Sequence, residues 1–586
     1  MSLMSSLYIG VSGLRTSQNS LNTTAHNLAN VGTTGYVRQQ VVQSDSNYIK
    51  WGVTHLSTLQ SGLGVDIETV RQVRDVFLDK AYRQEVGRQG FYEVQYEAVQ
   101  EVESMYGELE GVAFQDSMSD LWTSLQELSK TPSLIETRST VVQNAESFLE
   151  RAEAIQDQLK KYQINLNTQI QDKVDRVNEI ADEIYNLNNK ISRYESNGLE
   201  HANDLRDERN NLLDELGQII SITYKEDSNG VVTVNAEGVP LVTESNTFEM
   251  GTAKVSDSSD LLKPVWTDFN NADVFNLENE ATSKNDTDVG SLKGLLVCRG
   301  DDTANYTDML LSQDEYNSTI NTSVIMTVQA QFDQLIHGVV TAINDILCPN
   351  KEITVYVYDE DGNPVLEPDG TQKTEKINVL DEENAPAGMD DKSTMGEALF
   401  ERKSMERYET VNVMVKVVDP ITGVVTSEPK TVKKYNEEDP NNNYSLYTLG
   451  ELEINKDIKS NYSLIPISSN AGTGDVDQKV AEALVSKWKD PFATISPNTL
   501  TKNNFSGYYT SFIGELATRG EELNSISTNQ ATLANNINDQ RQQVAGVSSD
   551  EELTNLIKFQ HAYNASSRYI NVIDEMLEHI ISTLGR

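Results

Sequence analysis

The stretch SGLRTSQNSLNTTAHNLANVGTTGYVRQQ, from Ser12 to Gln40, predicts the helix on which the fold depends. Leucines recur one heptad apart and predict a helix with a narrow apolar seam. Arg15 is the only formal charge that precedes Arg38. A helix that faces water normally carries Glu and Lys, whereas one packed on several sides cannot, because a buried unpaired charge is very costly. The residues assigned to this seam are Leu7, Val11, Leu14, Leu21 and Leu28.

We interpret the N-terminal segment as an assembly arm that is disordered in the free chain and becomes ordered when copies stack. One narrow seam buries too little apolar surface to order about thirty residues alone. The uncharged Ser, Thr, Asn and Gln face would then pack against other chains. A plain two-helix coiled coil at the base of a monomer is the alternative that the pattern leaves open.

Composition excludes several classes of function. The chain has 586 residues, a formal net charge of −43 and 38% apolar residues. Such an acidic balance argues against nucleic acid and against anionic membrane surfaces. We find no apolar run of the roughly 18 residues that a membrane span needs and no secretory signal. Cys298 and Cys348 are expected to be two unrelated buried thiols, although a bridge between them stays open.

Hydrophobic periodicity predicts alternating helical and β-rich blocks. A helical pattern runs from about Val73 to Ile220, with a very long helix over about Thr137–Glu195. A period of two begins near Ile222 and includes a hairpin with Asn229-Gly230 at its turn. A helical block covers about Ser312–Leu347.

Residues 351–475 are predicted to be an all-β insertion. One hairpin is placed over Asp361-Gly362-Asn363 and a second over Pro420 and Gly423. Helical patterning returns near Val476 and again over Asn504–Val544.

The chain is predicted to end in a helix over Ser549–Leu584. Ser549 and Glu552 have the spacing of a capping box at its start. Apolar and small polar residues at helical spacing form a C-terminal stripe that we assign to assembly and to chaperone binding: Leu553, Leu556, Ile557, Gln560, Tyr563, Ile570, Ile573, Leu577 and Ile580.

The predicted fold class is α+β and multidomain. Terminal helices pair in a coiled-coil base, an elongated helical bundle follows, and β-rich outer domains are inserted in it. The predicted boundaries are 1–70 with 545–586 for the terminal assembly domain, 71–221 with 290–348 and 476–544 for the helical bundle, 222–289 for a β-rich segment, and 350–475 for the inserted β-rich outer domain.

The sequence gives no sign of catalysis. The six histidines are scattered, and the spacing of a zinc site is absent. The segment YDEDGNPV, Tyr358–Val365, lacks the ligand ladder of a calcium loop and is assigned to a hairpin turn. We therefore predict no catalytic residue, no metal and no cofactor.

Both ends of the chain resemble a known family. The N-terminal segment is similar to the signature of bacterial flagellar rod, hook and hook-associated proteins, with matches at Ser12, Gly13, Leu14, Leu21, Asn27, Ala29, Asn30, Thr34, Gly35 and Tyr36. The C-terminal segment resembles the other signature of that family, with matches at Gly546, Val547, Ser548, Asp550, Glu551, Glu552, Asn555, Leu556, Gln560, Ala562 and Tyr563. The N-terminal residues assigned to assembly are Leu7, Val11, Leu14, Leu21, Asn27, Leu28, Asn30, Gly35 and Tyr36.

Two features favour the hook–filament junction members of that family: the long helical block after the arm, and the segment GSLKGLLVCRGDD, Gly290–Asp302. The resemblance implies a structural protein that polymerises at the junction, adapts hook to filament, and is exported unfolded by the flagellar type III system. It implies an extracellular location in the flagellum. The implied partners are further copies of the chain, hook protein, hook-associated protein 3, and an export chaperone at the C-terminal helices.

Two other functions stay open at this point. The first is a hook or distal rod protein of the same family. The second is a surface adhesin or enzyme whose active part is the 350–475 insertion, a segment that resembles nothing we can name.

Overall fold

The structure is a computed structural model of the full chain. It describes residues 3–54, 57–106, 113–196, 201–257, 259–277, 281–359, 363–418, 425–469, 476 and 478–584. The predicted turn residues Asp361, Gly362, Pro420 and Gly423 lie outside the described residues.

Helices and strands are both abundant, so the predicted mixed α and β class is confirmed. The helices of the described residues are α1 Leu3–Ala29, α2 Val76–Tyr106, α3 Phe114–Lys130, α4 Ile135–Glu195, α5 Asn203–Ile219, α6 Ser291–Arg299, α7 Gln313–Thr319, α8 Val324–Leu347, α9 Lys456–Ser460, α10 Lys479–Lys489, α11 Phe505–Ala545 and α12 Ser549–Leu584.

Strands occupy the connections between these helices. They are β1 Gln39–Asp45, β2 Tyr48–Thr54, β3 Ser57–Gly62, β4 Val65–Gln72, β5 Ile222–Glu226, β6 Val232–Ala236, β7 Val239–Val242, β8 Met250–Lys254, β9 Leu262–Trp266, β10 Ala272–Asp273, β11 Asn350–Tyr356, β12 Thr374–Leu380, β13 Phe400–Arg402, β14 Tyr408–Val418, β15 Val425–Tyr435, β16 Leu452–Ile454, β17 Ala493–Thr494 and β18 Lys502–Asn503.

The chain divides into two compact units. The first comprises Met1–Gln95, Thr168–Leu296 and Leu523–Arg586, and the second comprises Tyr96–Asn167 and Val297–Glu522. The division between the units falls within four helices, α2, α4, α6 and α11, so each of them contributes residues to both units. The division into four domains stays a prediction.

In the first unit, long helices pack against small antiparallel sheets. α1 contacts α12, β1 and β4, and β1 pairs with β4. The sheets β5-β6-β7 and β10-β9-β8 lie near the C-terminal half of α4. Asn178 exchanges two hydrogen bonds with the backbone of Met250, and Asn188 does the same with Val232. These amides satisfy backbone groups at the helix–sheet boundary, which explains two polar residues on a buried face.

The core of the second unit is aromatic. Phe332 of α8 lies between Tyr106 and Phe114, with ring centroids 5.4 and 5.0 Å away. Tyr106 also contacts Phe512 of α11 edge-on at 5.1 Å. Edge-on ring pairs of this kind add to ordinary apolar burial, so the two chain segments of this unit share one core.

The inserted strands form a small barrel in the same unit. Strands β11, β12, β15 and β14 close on one another around Val355, Ile377, Val379 and Val432. β14 pairs with β15 along its whole length, as the second predicted hairpin required.

Candidate assembly interface

The buried face of α1 consists of small polar residues rather than leucines. Leu7, Leu14, Leu21 and Leu28 are half-buried, and Val11 is exposed. The buried positions are Ser5, Ser6, Gly10, Thr16, Ser17, Ser20, Thr24 and Asn27. The interpretation that the uncharged face is kept for other chains is therefore wrong, because this chain covers that face itself.

Small residues let α1 approach α12 closely. A Cβ at Gly10 would lie 2.7 Å from Cγ1 of Ile570, and one at Gly13 would lie 2.8 Å from Oγ of Ser566. Near the other end of α1, Asn27 reaches Glu552. Residues later in α1 contact residues earlier in α12, so the two terminal helices are antiparallel.

The other side of the polar face rests on the β1–β4 ladder. The backbone N–H of Val65 donates to Oγ of Ser12 at 3.3 Å, and the Gln43 amide donates to Oγ of Ser20 at 3.4 Å. Hydroxyl groups are suited to this position because they accept from strand and side-chain donors without bringing a charge into the contact.

Asn27 is the centre of a buried joint between the two ends of the chain. Its Nδ2 donates to the carbonyl of Gln39 at 2.9 Å and to Oε2 of Glu552 at 3.2 Å. Its Oδ1 accepts from the Tyr36 hydroxyl at 2.8 Å and from the Gln39 N–H at 3.0 Å. The amide thus uses all of its hydrogen-bonding capacity and fixes α1, the following turn and the start of α12 together.

Gly35 and Tyr36 shape the turn that closes this joint. Gly35 has φ of +77°, and a Cβ there would lie 2.2 Å from the side chain of Asn211, so glycine is required both by conformation and by space. The Tyr36 ring lies 5.6 Å from that of His26. Burial and the nearby carboxylates, Asp204 first among them, raise the pKa of Tyr36, so its hydroxyl is a neutral donor.

Asn30, the other asparagine of the motif, makes only local contacts. Its Nδ2 donates to the carbonyl of His26 at 3.0 Å, and its Oδ1 accepts from Thr33 at 3.1 Å. Both hydrogen bonds are exposed to solvent. Asn27 and Asn30, which look equivalent in the sequence, therefore have different roles in the structure.

Asp207 of α5 completes the joint from the other side. Its carboxylate accepts from the N–H of Val37 at 3.2 Å and from the amide of Gln72 at 2.7 Å. Burial raises the pKa of Asp207 to about 7, against the lowering effect of these hydrogen bonds. Nothing in the local sequence signals this role, since Asp207 reads as an ordinary residue of a charged helix.

The capping box predicted for Ser549 and Glu552 is wrong. α12 is preceded by Ser548, whose carbonyl accepts from the N–H of Glu552 at 3.0 Å and whose hydroxyl is 3.5 Å from the N–H of Glu551. The carboxylates of Glu551 and Glu552 contact the N-terminal segment instead of capping the helix. Glu551 pairs with Arg38 at 2.9 Å, and Glu552 accepts from Asn27.

The predicted C-terminal stripe divides between two faces of α12. Leu556, Tyr563, Ile570, Ile573 and Leu577 are half-buried or buried, whereas Leu553, Ile557, Gln560 and Ile580 are exposed. The exposed apolar residues of α12 that we call its outer stripe form two groups, Leu553 with Ile557 and Tyr569 with Val572, Met576 and Ile580.

α1 carries an exposed apolar stripe of its own. Met4, Tyr8 and Val11 are 55%, 63% and 48% exposed, and they recur at spacings of four and three. Contiguous apolar patches of this kind mark interaction surfaces in soluble proteins. Each terminal helix therefore has one face covered by this chain and one apolar face that the described residues leave open.

The part of the chain that the structure describes has no cluster of side chains suited to bind a metal ion. Groups of three His, Cys, Asp or Glu side chains that could hold a metal are absent from those residues. Cys298 and Cys348 are buried free thiols, and burial raises their pKa to about 12 and about 11. Such thiols are unreactive.

Among the described helices, we find none with the length and hydropathy that a membrane span requires.

Comparison with known proteins finds matches to three families of flagellar proteins along the chain. The family described as "Flagellar hook-associated protein FlgK helical domain" matches residues 99–348. "Flagella basal body rod protein" matches residues 7–36, and "Flagellar basal body rod FlgEFG protein C-terminal" matches residues 540–583. The last two matches cover most of α1 with its turn and nearly all of α12, which are the elements that meet at Asn27.

Relatives are matched over nearly the whole of both chains. The flagellar hook-associated protein 1 of Bacillus subtilis is 24% identical over 592 aligned positions, which cover 99% of both chains. That of Escherichia coli is 23% identical over 586 positions, with 98% of both chains covered. A solved structure titled "flagellar hook junction protein FlgK from Burkholderia pseudomallei" is 14% identical, with a TM-score of 0.47, and the match covers 80% of this chain and 100% of that one.

Proposed function

We propose, on the premise that this chain belongs to the flagellar hook-associated protein 1 family, that it polymerises at the hook–filament junction and adapts hook to filament. The observation that carries the proposal is the outer stripe of α12 together with the exposed stripe of α1. These helices already cover each other on one face. Their remaining apolar faces need a partner that the described residues do not supply, and burial of such surface would stabilise an assembly by about 25 cal/mol per Å².

The proposed partners of these stripes are further copies of this chain, hook protein and hook-associated protein 3. Relatives that match the family signatures at residues 7–36 and 540–583 are flagellar proteins, so terminal helices of related chains would offer similar surfaces. The low charge of α1, in which Arg15 is the only Lys, Arg, Asp or Glu, supports this choice. The chain as a whole has a net charge of −43, and self-association requires a surface where that repulsion is weak.

We also propose export before assembly through the flagellar type III system, an extracellular location, and a chaperone at the C-terminal helices in the cytoplasm. The supporting feature is again the outer stripe of α12, because an exposed apolar stripe is a hazard for aggregation until it is covered. That the arm orders only on assembly stays a prediction. The structure gives α1 as a continuous helix from Leu3 to Ala29.

The experiment replaces one residue of the outer stripe by a charge. Met576 is 48% exposed, so Met576→Glu leaves the fold of a single chain intact and places a carboxylate in the contact between copies. Asn571→Glu adds the same charge at an exposed polar position of α12 and serves as the control. Both variants are introduced in place of the wild-type gene, and motility, filament number and flagellin in the medium are measured.

We expect Met576→Glu cells to carry hooks without filaments and to shed flagellin, while Asn571→Glu cells swim. Filaments at wild-type number on Met576→Glu cells would refute the role of the outer stripe. A deletion strain without hooks would instead favour the hook or distal rod alternative.

A further inference from the structure

A cavity in the first unit combines a free strand edge with cationic side chains. It has a volume of about 330 Å³, at the lower end of the roughly 300–1,000 Å³ of ligand pockets. One wall is β5 and the residue before it, the second is α2, and the third is the segment that precedes α6. The lining residues are Lys80, Arg83, Gln84, Ser221, Ile222, Thr223, Tyr224, Asp286 and Val289.

β5, whose residues line this cavity, has one edge without a strand partner among the described residues. β5 is the outermost strand of the sheet β5-β6-β7. The Glu237 N–H donates to the Ser221 carbonyl, and the Asp227 N–H donates to the Val231 carbonyl. Since facing pairs alternate in an antiparallel ladder, the backbone groups of Ile222 and Tyr224 point away from β6. An edge of this kind is a template for another strand.

Two buried donors at the cavity have no partner among the described residues. Arg83 is 3% exposed; its Nε donates to Asp214 at 2.6 Å and its Nη2 to Asn210, yet its Nη1 has no acceptor. The hydroxyl of Tyr224 also lacks a partner. The Arg83 guanidinium stacks on the Tyr224 ring, 4.4 Å from its centroid. Buried donors without acceptors are uncommon and costly.

The charge balance of the cavity selects an acidic ligand. Asp286 is the only acidic residue of the lining, and it already accepts from Arg88 and Gln84. Lys80 is exposed at the rim, 5.9 Å from the Tyr224 ring, and it makes no ion pair within the described part of the chain. One uncompensated cation therefore stands beside a free strand edge in a protein of net charge −43.

We infer that this cavity binds an extended acidic peptide segment, which adds a strand to the edge of β5 and places a carboxylate between Lys80 and Arg83. Backbone hydrogen bonds to Ile222 and Tyr224 would orient the peptide along β5. The side chains of Ile222 and Val289 would make apolar contact with it. The repulsion from distant acidic residues is screened beyond about 8 Å at physiological salt, so the local cations decide which side chain is accepted. The inference does not depend on the proposed function, because the single chain contains every group involved.

The test measures binding of a short fluorescent peptide, in which valine alternates with glutamate, to the full chain by fluorescence anisotropy. A peptide with lysine in place of glutamate tests the charge, and the acidic peptide with alternate backbone nitrogens methylated tests the strand pairing. Lys80→Glu reverses the charge at the rim. Lys225→Glu makes the same change of charge at an exposed residue of β5 outside the cavity and is the matched control.

We expect the acidic peptide to bind, and the lysine and methylated peptides to bind much more weakly. Lys80→Glu should weaken binding by about tenfold, because it removes one favourable charge pair and adds a repulsive one. Lys225→Glu should change it by less than about twofold, as a more distant screened charge. Absence of binding by the acidic peptide, or equal weakening by both variants, would overturn the inference.

Undiminished binding of the methylated peptide, with displacement by inorganic phosphate, would identify a simple anion pocket and would also overturn it.

Discussion

Replacement of Asn27 by alanine should loosen the joint between the two ends of the chain far more than replacement of Asn30. Asn27 is 1% exposed and makes four hydrogen bonds, to the backbone of Gln39 in both directions, to Tyr36 and to Glu552. Tyr36 keeps its contact with His26 at 2.9 Å. The buried Glu552 carboxyl and the Gln39 backbone lose their partner, and each unsatisfied buried group costs about 1–3 kcal/mol. We expect a loss of about 3 kcal/mol in the local free energy of opening.

Native-state hydrogen exchange of the full chain, followed by mass spectrometry, measures that quantity. A loss of about 3 kcal/mol corresponds to roughly 150-fold faster exchange of α1 and β1 amides, since 1.36 kcal/mol is one decade. Asn30→Ala, which removes only exposed local bonds, should cost less than about 0.5 kcal/mol. Peptides from α8, in the second unit, provide the internal reference. Equal effects of the two variants would refute the assignment of Asn27. Wild-type α1 amides that exchange as in an unfolded chain would refute the docked helix and favour an arm that orders on assembly.

Three further predictions concern the same unit and use the same measurement. Gly10→Val should destabilise the packing of α1 on α12 by about 1–3 kcal/mol through overpacking against Ile570, whereas Gly32→Ala should be tolerated because nothing lies within 4 Å of its new Cβ. Burial raises the pKa of Asp207 from 3.8 to about 7, so between these pH values the folded joint holds a proton that the unfolded chain releases. Protection of β1 amides from exchange should therefore fall as the pH rises from about 4 to about 7. Asp207→Asn should flatten this pH dependence, and an unchanged slope in the variant would contradict the role of Asp207. Arg541→Ala leaves Asp79 and Asp214 without the guanidinium that joins them at 2.9 and 2.8 Å and should cost about 2–3 kcal/mol; exchange of α11 amides at the wild-type rate would show that the bridge is dispensable.

Long periodic segments were the most predictable part of the fold. The expected helix over Thr137–Glu195 is observed as α4, Ile135–Glu195, and the final helix has the predicted bounds Ser549–Leu584. The hairpin near Asn229-Gly230 is present as β5 and β6. These elements are decided by local periodicity and turn chemistry, which a single sequence contains.

The contacts of the joint were not predictable in the same way. Asn27 and Glu552 are 525 positions apart, and no local pattern states that they meet. The sequence showed that Glu552 follows a serine at capping distance, but Ser548 takes the cap and leaves the carboxylate to Asn27. The face of α1 was also misjudged. Small hydroxyl residues fit a contact within the chain as well as one between chains, and Gly10 and Gly13, spaced three apart, were the signal for close approach to another helix.

The arrangement of α12 argues for two partners rather than one. Neighbouring residues of α12 have different environments: Leu556 is half-buried and Ile557 is exposed, and Val572 is exposed while Ile573 is buried. A two-helix coiled coil uses a single narrow seam, so pairing with α1 accounts for only the inner half of this wide apolar arc. The outer half, from Leu553 to Ile580, would have no purpose in a solitary coiled coil and would be a liability in water. The packing of α12 on α1 therefore explains why the two termini meet, and the proposed assembly with other chains would explain why α12 stays apolar on the side that α1 does not cover.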